Sequence, residues 1–325
     1  MNVYIVGKGA VGTYLGELLQ GIGVEVVYAP RALADVTRCD ADVAIVAVKS
    51  YDTPAAVETL RAAIAYPEKC VFLSPQNGVG NEEALIAAFG ADNVVAASLT
   101  VPIGRDRDGR TNATKEGAIA FAPTGATAFN WLVATFASTG LPVKVVEDWR
   151  AMKWSKLALN VVANASCAIL NVLPNRLVDF DRIFTLEIRM LREVRSVIQS
   201  IGLTPIDLPR YPVRALLGVA TLPSPIARGV LATRIAGGRG TKPPSLLLDL
   251  RRGKPETEVN VLNGAVAAAG LEHRVATPVN AVYARVLDAI AHMPQLWAKY
   301  RERPEALEAE VEAEVRRTHA LARGM

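Results

Sequence analysis

Histidine is scarce in this chain. Only His273, His292 and His319 are present, all late in the 325 residues. That placement weakens a Ser-His-Asp triad, a zinc site and any hydride transfer that relies on a histidine proton donor. Cysteine is as rare: Cys39, Cys70 and Cys167 are scattered and odd in number, so reduced thiols in a cytoplasmic protein are expected. The chain has no low-complexity block and no internal repeat. No basic run is interleaved with aromatic residues, which ranks nucleic-acid binding low. The uncharged run 157–175 is long enough to cross a bilayer, but Asn160, Asn164, Asn171 and Pro174 interrupt it, so no span is expected. Met1-Asn2-Val3-Tyr4-Ile5-Val6 runs straight into a glycine turn, and no secretory leader is expected either.

What is present suits a globular protein of two domains, each with a full core. Charge is unevenly placed. Residues 1–147 carry 11 Lys+Arg against 15 Asp+Glu, and the remainder carries 25 against 17. A basic second half suits a small anionic substrate or a dinucleotide phosphate.

The first domain opens with an apolar strand, 2–6, followed by Gly7-Lys8-Gly9-Ala10-Val11-Gly12. Tyr14, Leu15, Leu18, Leu19 and Ile22 then recur at helical spacing, Gly23 stops the helix, and 24–28 is a second strand. This is a G-x-G-x-x-G turn in its strand–turn–helix–strand setting. Gly7 allows the tight turn, Gly9 lets backbone approach a pyrophosphate, and Gly12 lets helix and strand pack closely. The helix N-terminus offers free N–H groups to phosphate. An NAD site wants an acid at the end of the second strand, yet the chain reads Tyr28-Ala29-Pro30-Arg31. Arg31 could pair with a 2′-phosphate, favouring NADP; a solvated surface arginine is the alternative.

A continuous apolar strand, 43–48, ends in Lys49-Ser50 at the sheet edge where ligands bind. Thr53-Pro54 caps and opens a helix. The strand 71–73 runs into Pro75-Gln76-Asn77-Gly78-Val79-Gly80, where Asn77 is either a turn residue or a contact to nicotinamide or substrate. Strands are expected at 94–101 and 117–122, joined by a polar loop over 105–116. A helix over 127–138 and a strand over 143–146 close an α/β Rossmann-like N-terminal domain with a mostly parallel sheet, 1–147.

From residue 148 to 325 the pattern is that of an all-α C-terminal domain. Its opening stretch, 153–164, reads as one helix, with Lys156, Asn160 and Asn164 at every fourth position on one face. An amide stripe on an otherwise apolar helix suggests a face that lines a cleft; buried amides bonding backbone are the alternative. Lys153 reads as a surface or capping charge. The tail from Pro304 is a charged helix with Leu307, Val311 and Val315 on one stripe, which packs on its own domain or forms a dimer seam.

With these residues located, the chain resembles the ketopantoate reductase (2-dehydropantoate 2-reductase) family up to about residue 295. Four stretches carry the resemblance: Gly7 to Gly12; Asn77-Gly78-Val79-Gly80, similar to the family's N-G-x-G; Lys156-Leu157-Ala158-Leu159-Asn160 with Asn164; and Thr257-Glu258-Val259 with Leu262-Asn263-Gly264. The last two together are specific. The resemblance implies NADPH-dependent reduction of ketopantoate to D-pantoate, in pantothenate and coenzyme A biosynthesis, with a small anionic 2-oxo acid as substrate. It implies that Lys156 and Glu258 are the catalytic pair. Glu256 competes with Glu258, because the loop before it is one residue longer than usual. Gly7, Lys8, Gly9, Ala10, Val11, Gly12, Arg31, Lys49 and Asn77 would hold NADP(H). Asn77, Asn160, Asn164 and Ser245 would contact substrate or nicotinamide. A homodimer is compatible with this reading. The rivals are reductases of other branched 2-oxo acids, reductases of the wider 3-hydroxyacid or imine-reducing kind, and a non-catalytic NADP sensor that binds NADPH without turnover.

Overall fold

The computed structural model describes residues 1–105, 111–113, 116–126, 129–177, 179–239 and 241–323. The chain divides into two compact units, Met1–Lys156 with Asp207–Pro212, and Leu157–Ile206 with Val213–Met325. Sequence reading put the boundary at 147/148, where the last strand has ended; the compact units instead exchange within the following helix.

Unit 1 is an α/β sandwich. Its strands are β1 (Asn2–Val6), β2 (Glu25–Tyr28), β3 (Val43–Val46), β4 (Val71–Ser74), β5 (Val94–Leu99), β6 (Ile103–Arg105), β7 (Thr111–Ala113), β8 (Ile119–Pro123) and β9 (Val143–Val145). Its helices are α1 (Ala10–Gln20), α2 (Thr53–Ala63), α3 (Asn81–Phe89) and α4 (Asn130–Ser138). Seven strands form one sheet in the order β2-β1-β3-β4-β5-β8-β9, parallel except where β5 meets β8. The inner strands β3, β4 and β5 are buried at every residue, which is why they read as mainly apolar runs, whereas the edge strand β2 alternates. Successive side chains enter opposite layers. Val3 and Ile5 join Leu15, Leu19, Phe121 and Phe136 on one side, and Tyr4 and Val6 join Leu60, Phe72 and Leu85 on the other. Chain direction across the sheet reverses at β1, which neighbours both β2 and β3, so the carboxyl ends of β1 and β3 mark the edge where a ligand is accommodated.

Two details differ from expectation. The stretch taken as a polar loop over 105–116 contains β7, which pairs with β6 just before it in a small antiparallel ribbon, Ile103 with Ala113 and Arg105 with Thr111. Backbone pairing carries such a ribbon, so it leaves little trace in side-chain hydrophobicity; residues 106–110 lie outside those described. Thr53 does not cap α2. Asp52 holds the N-cap position, and the Thr53 hydroxyl donates to Asn81 Oδ1 at 2.9 Å.

The α5 helix (Trp149–Val161) opens with Asp148 Oδ1 accepting from Ala151 N at 2.9 Å, and the division between units falls inside it. Unit 2 continues with α6 (Ala165–Leu170), α7 (Pro174–Leu177), α8 (Asp181–Ser200), α9 (Val213–Val219), α10 (Ser224–Arg239) and α11 (Ser245–Arg251). It closes with α12 (Asn263–Glu272), α13 (Pro278–His292), α14 (Trp297–Tyr300) and α15 (Pro304–Arg323). The α8 helix buries Phe184, Met190, Leu191 and Val194, and α13 buries Val279, Val282, Tyr283 and Leu287. The tail helix α15 packs within this unit, with Leu307 and Val311 fully buried. Ion pairs such as Arg189 with Glu312 flank that stripe but are partly exposed and add little. Among the described residues, no helix is long and apolar enough to cross a membrane.

Candidate active site

The glycine turn at the end of β1 is tight and leads straight into α1. Gly7 has φ +107°, and a Cβ there would lie 2.6 Å from the carbonyl carbon of Ala47, at the end of β3. A Cβ on Gly12 would lie 1.9 Å from Gly7 O, so only glycine lets α1 close onto the turn. At Gly9 the nearest atom to an added Cβ is Ala47 O at 4.0 Å, which leaves that flank open. Gly9 is also the N-cap of α1 and offers no side-chain cap to the first-turn N–H groups of Ala10, Val11 and Gly12. Those N–H groups and the helix dipole therefore favour an anion there, and the turn fits a dinucleotide pyrophosphate.

Beside the turn, Lys8 Nζ stands 4.9 Å from the Tyr28 ring centroid. The Tyr28 hydroxyl donates to Gly12 O at 3.5 Å, and a Cβ on Gly16 would meet that hydroxyl oxygen at 2.0 Å. Tyr28 thus leans back over α1 and occupies the end of β2. Arg31 is exposed three residues further on. Sequence reading singled out Arg31 and did not single out Gly16, whose place one helical turn after Gly12 was the available signal.

The loop after β4 is held by a buried polar network. Gln76 Nε2 donates to Thr53 Oγ1 at 2.8 Å and to Val48 O at 3.2 Å. Asn77 O accepts from Ser50 Oγ at 2.9 Å and from Asn81 Nδ2 at 3.0 Å. Lys49, at the half-buried start of the adjoining turn, and half-buried Asn77 therefore sit on a braced edge.

Lys153 corrects the expectation of a surface charge. Its side chain is 2% exposed; Nζ pairs with Glu82 Oε1 at 2.8 Å and donates to Gln76 O at 2.6 Å and Ala97 O at 3.2 Å. Glu82, fully buried, also accepts from Ser74 Oγ at 2.6 Å. The signal was legible: Lys153 shares a four-residue stripe with buried Leu157 and Val161, so its charge needed a buried partner. Lys156 and Asn160 lie on the neighbouring, half-buried stripe of α5. Lys156 Nζ is 6.0 Å from the ring centroid of Tyr211, in the 207–212 segment that unit 1 includes. Tyr211 carried no motif and was missed.

The α5 helix does not reach Asn164. It ends at Val161, and α6 begins at Ala165, with Ala163 between them at φ +51°. The freed N–H of Ala163 donates to Glu187 Oε2 at 2.8 Å, and Ser166 Oγ donates to the other oxygen of the same buried carboxylate. A carboxylate from α8 therefore stabilises the break, and Asn164 stands beyond the end of the helix that carries Lys156 and Asn160. Asn164 is 4% exposed, and its Oδ1 accepts from Leu246 N at 3.3 Å, tying down the first turn of α11. Ser245, the first residue of that helix, is exposed.

In the same unit, Glu258 is 4% exposed, while Glu256 is in solvent. Thr257 Oγ1 accepts from Val259 N at 3.4 Å and caps the short turn that carries Glu258. Behind this turn Asn263 Nδ2 donates to Asn280 Oδ1 at 3.0 Å. Asn280 Nδ2 and the backbone N–H groups of Val279 and Asn280 all donate to the Glu193 carboxylate, at 2.7 to 2.9 Å. Burial pushes Glu193 up to about 7, against the pull of those donors and of Arg189.

A switch-point glycine turn without a side-chain cap, followed by a helical unit, defines a two-unit dinucleotide-binding protein of the Rossmann class. The chain belongs to the ketopantoate reductase PanE/ApbA family, whose model matches residues 20–125 and whose C-terminal model matches 148–291. The glycine turn lies before the first match and stands on its own geometry. A 2-dehydropantoate 2-reductase of Pyrobaculum aerophilum is 29% identical over 299 residues, 85% of this chain and 93% of that one. The corresponding protein of Archaeoglobus fulgidus is 26% identical over 316 residues, 86% and 94% of the two chains. Among solved structures, a PanE/ApbA family ketopantoate reductase from Ralstonia eutropha is similar with a TM-score of 0.75, at 27% identity, covering 91% of this chain and 100% of that one.

Proposed function

We propose that this chain catalyses the NADPH-dependent reduction of 2-dehydropantoate to D-pantoate. The observation that carries the reading is α5, which presents Lys156 and Asn160 on one half-buried stripe while its buried stripe is bolted to the loop of Asn77. The curated relatives named above supply the substrate.

Bound NADPH supplies the hydride. The N–H groups of Ala10, Val11 and Gly12 and the cation of Lys8 hold its pyrophosphate, and Arg31 pairs with the 2′-phosphate in the place where an NAD enzyme has an acid. Lys49 and Asn77 complete the cofactor edge. Reduction of a ketone builds negative charge on oxygen, and Lys156 donates a hydrogen bond, and then the proton, to that oxygen. Asn160 and Ser245 bind the carboxylate and hydroxyl of the substrate. Asn164 acts through α11, which it fixes at Leu246, and so places Ser245. Glu258, buried where Glu256 is not, is the functional carboxylate.

NADPH oxidation measured across a panel of branched 2-oxo acids tests the reading. Ketopantoate should give the highest kcat/KM, and NADPH should be preferred over NADH. A better turnover with a different branched 2-oxo acid would transfer the chemistry to that substrate, and NADPH binding without turnover of any would leave a sensor.

A further inference from the structure

We infer that the buried Lys153–Glu82 pair is a positioning device for catalysis, setting the register of Lys156 against the Asn77 loop; this rests on the reading of the site just given. Lys153 and Lys156 are three residues apart on α5, so one turn of helix carries both a buried cation and a half-buried one. The buried cation does not grip a helix neighbour. It grips Gln76 O at 2.6 Å, the residue immediately before Asn77, together with Ala97 O on β5 and Glu82 on α3.

Gln76 in turn holds Val48 O and Thr53, and Asn77 O is held by Ser50 and Asn81. The loops after β3 and β4 are thereby joined to α5 through the Lys153 ammonium group. A sideways shift of α5 would strand that ammonium away from a fully buried carboxylate, so the helix has one low-energy seat. Catalysis by a proton donor is sensitive to displacements of about 1 Å. A seat fixed this firmly beside the donor is therefore read in turnover rather than in binding.

The test replaces the pair by apolar residues of similar length, Lys153→Met with Glu82→Met, which removes both charges together and leaves neither one buried alone. The variant is compared with wild type and with Lys156→Ala in kcat, KM for ketopantoate, NADPH affinity by fluorescence, melting temperature, and the isotope effect on kcat with NADPH deuterated at C4. Positioning predicts near-native melting and NADPH affinity within about threefold, with kcat reduced tenfold or more and a larger isotope effect as hydride transfer becomes limiting. A folded double variant with kcat within twofold and an unchanged isotope effect would show the pair to be structural only. If the double variant does not fold, Ser74→Ala, which removes one hydroxyl from Glu82, is read in the same way: a drop in kcat with a raised isotope effect supports positioning, and no change overturns it. Wild type inactive on every 2-oxo acid, or Lys156→Ala as active as wild type, would instead overturn the reading of the site, and the inference with it.

Discussion

Two lysines three residues apart on α5 have opposite surroundings, and that contrast separates the proposed proton donor from the group that seats it. Lys156→Ala removes the proposed proton donor from a half-buried position, so turnover should fall about 10²–10⁴-fold while fold and NADPH binding persist. Lys153→Ala strands Glu82 in a fully buried site, and the expected loss is about 3–5 kcal/mol of stability. Kinetics and denaturant midpoints of the two variants decide between these outcomes. The asparagines divide in the same manner. Asn160→Ala should raise KM for the oxo acid with stability little changed, whereas Asn164→Ala unties the first turn of α11 and should lose about 1–3 kcal/mol. Glu258→Gln should damage turnover or substrate affinity and Glu256→Gln should do little, since the latter side chain is in solvent. The reverse result would reassign the functional carboxylate to Glu256.

Elements were legible in the sequence to the extent that their signals are local. The mainly apolar runs of β3 to β5, the glycine turn before α1 and the proline at the start of α2 each announce themselves within a few residues. The end of α5 does not. Nothing between 157 and 164 forbids a helix, and the break depends on Glu187, 24 residues away from Ala163. The Lys153 seat depends on Gln76, at a separation of 77 residues. A four-residue spacing therefore placed Lys156 and Asn160 on one stripe and ran the same helix on through Asn164, past its end at Val161. The break itself is open to test. Ala163 sits at φ +51°, where its Cβ is unfavourable by about 1 kcal/mol, so Ala163→Gly should be neutral or slightly stabilising. The same change at Ala158, within α5, should destabilise by about 1 kcal/mol or more. Equal losses at both sites, measured by urea denaturation, would show that the break is not fixed as described.

At the scale of the whole molecule, stability should depend on pH through a group that no motif flagged. Glu193 on α8 accepts the first N–H groups of α13 and the amide of Asn280, which in turn holds Asn263 behind the Glu258 turn. Burial raises its carboxyl from the ordinary 4.5 to about 7 in the folded protein, while the unfolded chain keeps the ordinary value. Below about 4.5 both states are protonated and this group gives no slope. Between about 4.5 and 7 the unfolded state binds fewer protons than the folded one, so stability declines as pH rises through that window and levels off above it. Glu193→Gln removes the titration but leaves the other groups in place. The stability advantage of wild type over this variant should therefore be larger at pH 5 than at pH 8, as read from denaturant midpoints at both values. An advantage that is constant or grows with pH would mean that the three donors at the start of α13 hold Glu193 ionised throughout, and that burial does not control its charge.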